Sequence, residues 1–133
     1  MATQDLWGEF PLEETVRTPL AILREQATLL GQKTENVLQG RVSLGRSRSG
    51  NEFVASLYIE APALDDYSYL ALTIRYPVAL YPVLVVESGP GLFPQGAKCD
   101  DEESFVQTLG AILSHSRIRQ VIASLIAQSR ENG

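Results

Sequence analysis

The 133-residue sequence predicts an α+β fold: a four-stranded antiparallel meander sheet, with an N-terminal helix and one bent or two consecutive C-terminal helices packed on one face. Three observations carry this. Apolar residues recur at three- and four-residue spacings after Pro19, switch to a two-residue period from Val37, and return to helical spacing after Glu103. The segments between the alternating runs are short, which favours antiparallel neighbours. There is no internal repeat, so the chain reads as a single domain over residues 1–133, with 1–11 a loosely ordered N-terminal segment lacking any periodic pattern.

The first helix opens at Thr18-Pro19, because threonine caps free amide groups and proline at the first helical position has no amide to leave unpaired. Leu20, Leu23, Ala27 and Leu30 form its apolar stripe, and Gly31 is the expected exit. LEETVR upstream is expected to add up to two helical turns, with Trp7 and Phe10 as candidates for docking on the body. Strand alternation then places Leu38, Gly40, Val42 and Leu44 on one face, and Phe53, Ala55, Leu57 and Ile59 on the same face of the next strand. GRSRSGN between them is hairpin chemistry, since glycine and asparagine accept positive φ. A third strand, YLALTIRY, presents Leu70, Leu72, Ile74 and Tyr76 together, and VLVVES makes a short fourth.

SGPGLFPQGAKC reads as a loop, its glycines and prolines opposing regular structure. The acidic run Asp100 to Glu103 then caps a helix carrying Phe105, Leu109, Ile112 and Leu113. SHS at 114–116 interrupts the pattern, and Ser116 is the expected cap of a second segment bearing Ile118, Val121, Ile122 and Leu125. With all helices on one side, the other sheet face stays partly wet and carries Tyr58, Thr73 and Arg75.

The formal net charge of −5 repels a phosphate backbone and argues against nucleic-acid binding. The single cysteine, Cys99, forms no internal disulfide, and the N-terminal residues have no export pattern, so a cytoplasmic location is expected. No apolar run has the length of a membrane span, which makes the expected protein soluble, with no membrane partner.

Catalytic and metal chemistry have little support. His115, the only histidine, has no spaced partner for a triad or a metal site. Neither Asp65-Asp66 nor Asp100 to Glu103 has calcium-loop spacing, and the GPG at 89–91 lacks a phosphate loop's lysine. Arg41, Arg46 and Arg48 make the first hairpin locally basic, a solvated tip by default. No metal and no cofactor is expected.

RYPVALYPVLVVES poses a different question, because proline cannot donate to a strand ladder. Pro77 and Pro82 therefore belong at strand ends, on an edge, or in a connection. The order helix, meander, Tyr-Pro segment, short strand and C-terminal helix resembles the RWD domain and the related ubiquitin-conjugating enzyme core, with Tyr76, Pro77 and Pro82 carrying the motif. The resemblance spans about residues 19–129 in topology and about fourteen residues in motif. Likeness to the conjugating enzymes implies Cys99 as a thioester nucleophile in an accessible loop. Against that, Leu92-Phe93-Pro94-Gln95-Gly96 stands where those enzymes carry His-Pro-Asn, and the acidic residues after Cys99 disfavour a thiolate. RWD domains are binding modules without a catalytic cysteine.

The resulting expectation is a non-catalytic protein-binding or adapter domain, its partner a protein, contacting it through Tyr58, Arg75, Tyr76, Pro77, Tyr81 and Pro82. A toxin-neutralising or secretion-chaperone role, a thiol enzyme using Cys99 and a small apolar-ligand binding protein are the alternatives. A homodimer is left open, as a way to bury apolar surface that a single-layer sheet exposes.

Overall fold

The computed structural model describes residues 3–10, 12 and 16–132. Its elements run α1 (Pro19–Lys33), β1 (Gln39–Arg46), β2 (Glu52–Ala61), a 3-10 turn (Pro62–Leu64), β3 (Tyr67–Pro77), β4 (Val83–Glu87), β5 (Ala97–Cys99), α2 (Glu102–Leu113) and α3 (Ser116–Asn132). The α+β class holds, with one helix before the sheet and two after it. The strand count does not: the sheet has five antiparallel strands in the order β1-β2-β3-β4-β5. The loop read across SGPGLFPQGAKC ends early, because Gly96, at φ +85°, returns the chain so that Ala97, Lys98 and Cys99 pair with Val85, Leu84 and Val83. Three residues are too few for an alternation to register in sequence.

Thr18 caps α1 as expected, its hydroxyl accepting the Ala21 amide at 3.0 Å. The exit lies further on than Gly31, which is buried within the helix. Lys33 is the last helical residue, and the Thr34 hydroxyl donates to the Leu30 carbonyl at 2.9 Å. Glu35 and Asn36, at φ +52° and +65°, then reverse the chain. The extra turn expected within LEETVR rests largely on residues outside those described.

α1 lies close across β1. A Cβ on Gly40 would sit 2.4 Å from the Cα of Ala27, so the missing side chain is what lets helix and strand approach. Ile22, Leu23, Leu38, Leu72, Ile74, Val83, Val85, Phe105 and Ile112 fill the layer between helices and sheet and are all fully buried. Each such side chain contributes roughly 1.5–3 kcal/mol by leaving water.

α2 begins with a capping box: the Asp101 carboxylate accepts the Ser104 amide at 2.8 Å while the Asp101 amide donates to the Ser104 hydroxyl at 3.3 Å. The hydrogen bond from the Ser104 amide, and then the Ser104 hydroxyl, hold the Asp101 carboxyl below its ordinary range. The junction with α3 departs from expectation. Ser116 is already helical, and His115 does the capping, its Nδ1 accepting the Arg117 amide at 3.3 Å and its carbonyl accepting that of Arg119. No helix among the described residues is long and apolar enough to cross a membrane.

One irregularity governs which side chains face where. Leu57 pairs with Leu72 but Tyr58 pairs with Leu70, so Ala71 is an extra residue in β3. An inserted residue flips the alternation on one side of it. Leu72, Ile74 and Tyr76 face the helices as read from sequence, whereas Leu70 lies on the opposite face and Tyr69, across from Ile59, takes the helix side.

Candidate functional site

The helices cover one face of the sheet, and the other is formed by rows of side chains running across strands. Strand register places Gln39, Glu60 and Ser68 in one row, Arg41, Tyr58 and Leu70 in the next, then Ser43, Ser56, Thr73 and Val86. A fourth row runs Gly45, Val54, Arg75, Leu84 and Lys98. The polar members pair with each other. The Arg41 guanidinium lies over the Tyr58 ring, 4.2 Å from its centroid, and its Nε donates to Glu60 at 2.8 Å. Ser68 donates to the same carboxylate oxygen, also at 2.8 Å. Held mainly by Arg41 and then by Ser68, the Glu60 carboxyl stays below its ordinary range. Ser56 and Thr73 share a hydrogen bond of 3.1 Å, and Arg75 approaches Glu52 at 3.9 Å.

The six residues expected to bind a partner divide among three places. Tyr58 and Arg75 belong to the open face. Pro77, Tyr81 and Pro82 form the β3–β4 connection, where both prolines lie at strand ends and disturb no ladder. The Leu80 amide closes this turn onto the Pro77 carbonyl at 2.9 Å, Leu80 adopts φ +81°, and the Tyr81-Pro82 bond is cis. Tyr76 is the exception. It points into the core, 4% exposed and 5.6 Å from the Phe53 ring, because it shares the helix-facing register of Ile74 and Leu72; it is no contact residue. Tyr81 is half-buried, and its hydroxyl has no hydrogen-bond partner among the described residues. Burial pushes its phenol up, and the Glu102 carboxylate adds to this.

Cys99 is placed differently from the sequence reading. Instead of an accessible loop position it occupies the end of β5, 1% exposed, because its side chain shares the helix-facing register of Val83. Its thiol points to the Thr108 hydroxyl at 3.5 Å and the Ala97 carbonyl at 4.0 Å, neither of which is a base for thiol activation. Among the described residues no three of the His, Cys, Asp and Glu side chains gather as a metal site would require. The glycine-proline loop after β4 is fastened from within, Arg117 donating to the Pro90 carbonyl at 2.9 Å and Glu87 accepting the Phe93 amide at 2.8 Å.

No family model, curated protein or solved structure matches the chain. Its surface chemistry must speak for itself, and one feature escaped the sequence reading. A cleft of about 520 Å³ opens between α1 on one side and α2 and α3 on the other, with Leu57 and Ile59 of β2 as its floor. Ile22, Leu30, Leu113 and Ile122 line its walls, and Arg17, Lys33 and Arg119 are the charged residues around it. Periodicity identified Leu30, Leu113 and Ile122 as apolar helix positions but carried no information on how far apart the helices stand.

Proposed function

We propose that this chain is a non-catalytic protein-binding or adapter domain whose contact surface is the open sheet face, joined by the neighbouring Pro77, Tyr81 and Pro82. The observation that carries this reading is the composition of that face. Val54, Tyr58, Leu70, Leu84 and Val86 lie among Arg41, Glu52, Glu60, Arg75 and Lys98, on the face opposite the one that the described helices cover. Aromatic and arginine side chains set among aliphatic ones, with charges around them, are what protein interfaces favour. The burial of Cys99 supports the non-catalytic side of the proposal. An RWD-like relationship and a cytoplasmic location belong to the same proposal, the first supported by the element order and by the prolines at the β3–β4 turn.

The test is affinity purification from the native cell with intact-mass analysis of what is retained, on the wild type, Cys99→Ser and a Tyr58→Ala/Arg75→Glu double variant whose folding is checked by thermal melting. A stoichiometric protein retained by the first two and lost from the third is the expected result. A partner indifferent to the double variant, or an adduct that disappears with Cys99→Ser, overturns the reading.

A further inference from the structure

The N-terminal segment and the inter-helix cleft have complementary chemistry, although none of the described residues before Arg17 lines the cleft in the single chain. Leu6, Trp7, Phe10, Leu12 and Val16 are between 59% and 92% exposed. Single exposed apolar residues need no explanation, but five large ones within eleven residues form a concentration that scattered surface residues do not account for. The same stretch contains Asp5, Glu9, Glu13 and Glu14 and no lysine or arginine before Arg17. The cleft inverts this pattern: its walls are apolar, and among the described residues its charged lining is Arg17, Lys33 and Arg119, with no carboxylate. Arg17 is already engaged by Glu25 at 2.8 Å and Glu102 at 3.1 Å. Lys33 and Arg119 have no carboxylate within ion-pair distance among the described residues. Arg119 Nε donates only to the Ser114 carbonyl, at 3.3 Å. In a chain of net charge −5, an apolar cleft bordered by two cations that lack an ion-pair partner among the described residues selects an acidic, apolar segment.

We infer that residues 5–12 of one copy dock in the cleft of a second copy, and reciprocally, giving an arm-exchanged homodimer. Trp7 and Phe10, with ring centroids 6.1 Å apart, are the anchors, and a cleft of about 520 Å³ is of the size that accepts such groups. Asp5 and Glu9 meet Lys33 and Arg119. A second copy is the occupant, for two reasons. In the single chain the described arm residues make hydrogen bonds only with each other, Trp7 with Asp5 and Leu12 with Phe10. The arm also joins the body at Arg17, which is clasped to α1 and α2, next to Thr18, whose extended backbone caps α1. Exchange leaves that clasp and cap intact, and in the single chain Leu6, Trp7 and Phe10 stay exposed instead of lining the chain's own cleft. A two-fold pair closes on itself and leaves neither arm uncovered. This association uses neither the open face nor the Tyr-Pro turn and stands apart from the adapter reading.

Trp7 is the only tryptophan, so its emission reports directly on the arm. The experiment combines light-scattering mass with Trp7 emission and acrylamide quenching across a dilution series of the full chain. The expected result is a two-chain mass that falls to one chain on dilution, with Trp7 passing from shielded to solvated over the same range. Removing residues 1–16 leaves a monomer that binds a synthetic peptide of residues 3–14. Lys33→Glu with Arg119→Glu, both surface changes checked by circular dichroism, weakens the dimer by about tenfold or more. A monomer with solvated Trp7 at every concentration overturns the inference. So does a monomer with shielded Trp7 at every concentration, which means docking in the chain's own cleft. A dimer that survives loss of residues 1–16, or is untouched by the charge reversals, overturns it as well.

Discussion

The two faces of the sheet are encoded by alternate residues of the same strands, yet they are held by different physics. On β2 the helix-facing residues Ala55, Leu57, Ile59 and Ala61 are all buried, in register with Ile74, Leu72, Tyr69 and Tyr67. Their neighbours Val54, Ser56, Tyr58 and Glu60 are half-buried and interact mostly in pairs with the adjacent strand, Ser56 with Thr73 and Glu60 with Arg41 and Ser68. The covered face depends on shape, because any lost volume leaves a void that close packing cannot relax. The open face depends on local pairs, each small and each separable. Stability therefore constrains the open face only lightly.

The sharpest way to break this comparison lies either side of the β3 bulge. Leu72 is fully buried beneath the helices and Leu70 is on the open face. Leu72→Ala is expected to destabilise by about 2–5 kcal/mol. Leu70→Ala is expected to cost about 1 kcal/mol or less. Denaturant midpoints measured on both variants check this. Equal losses would mean that Leu70 faces the core and that Ala71 is not the inserted residue.

That pair also marks where sequence reasoning was strong and where it failed. Strict alternation from Phe53 to Ile59 made the helix-facing residues of β2 legible, and the acidic run before Phe105 made the start of α2 legible. YLAL hid the bulge, because with Leu70, Ala71 and Leu72 all apolar no polar residue showed the shift of face. Gly31 looked like a helix end because glycine so often is one, but the reversal was achieved by Glu35 and Asn36 in left-handed conformations. Of the proposed contact residues, Tyr58 and Arg75 were placed on the open face by period alone. Tyr76 was misread because the Tyr-Pro motif drew attention away from its register with Leu72 and Ile74. The cleft and the burial of Cys99 depend on distances between elements, which no single element's pattern contains.

Two glycines of β1 carry the comparison to a smaller scale. Gly40 faces α1, where a new Cβ would meet Ala27 backbone at 2.4 Å, while Gly45 lies in the open-face register with nothing within 4 Å of its would-be Cβ. Gly40→Ala forces a helix to shift and is expected to destabilise by roughly 1–3 kcal/mol. Gly45→Ala meets no obstacle and narrows the unfolded ensemble, so it is expected to be neutral or to stabilise by up to about 1 kcal/mol. Thermal melts of the two variants should move in opposite directions or differ by the full steric cost. Equal effects would show that α1 yields freely and that the close contact at Gly40 does not set the helix position.

The smallest expected effect tests whether the open face is electrostatic at all. Glu60 has a folded-state pKa below its unfolded value, so as pH falls the unfolded chain takes up the proton first. Its contribution is fully present above the ordinary glutamate range, near pH ~4.3, and is lost as pH falls through the lower folded value. Because the pair is largely solvent-facing, Glu60→Gln is expected to cost no more than about 0.2–1 kcal/mol at neutral pH. That difference should shrink towards zero as pH falls from ~6 to ~3, and also when salt is added. Denaturant midpoints of both proteins across that range decide it. A difference that persists in acid would mean that Glu60 acts by fixing Arg41 over the Tyr58 ring. The open face would then be held by packing of that stack, as the covered face is held by its core.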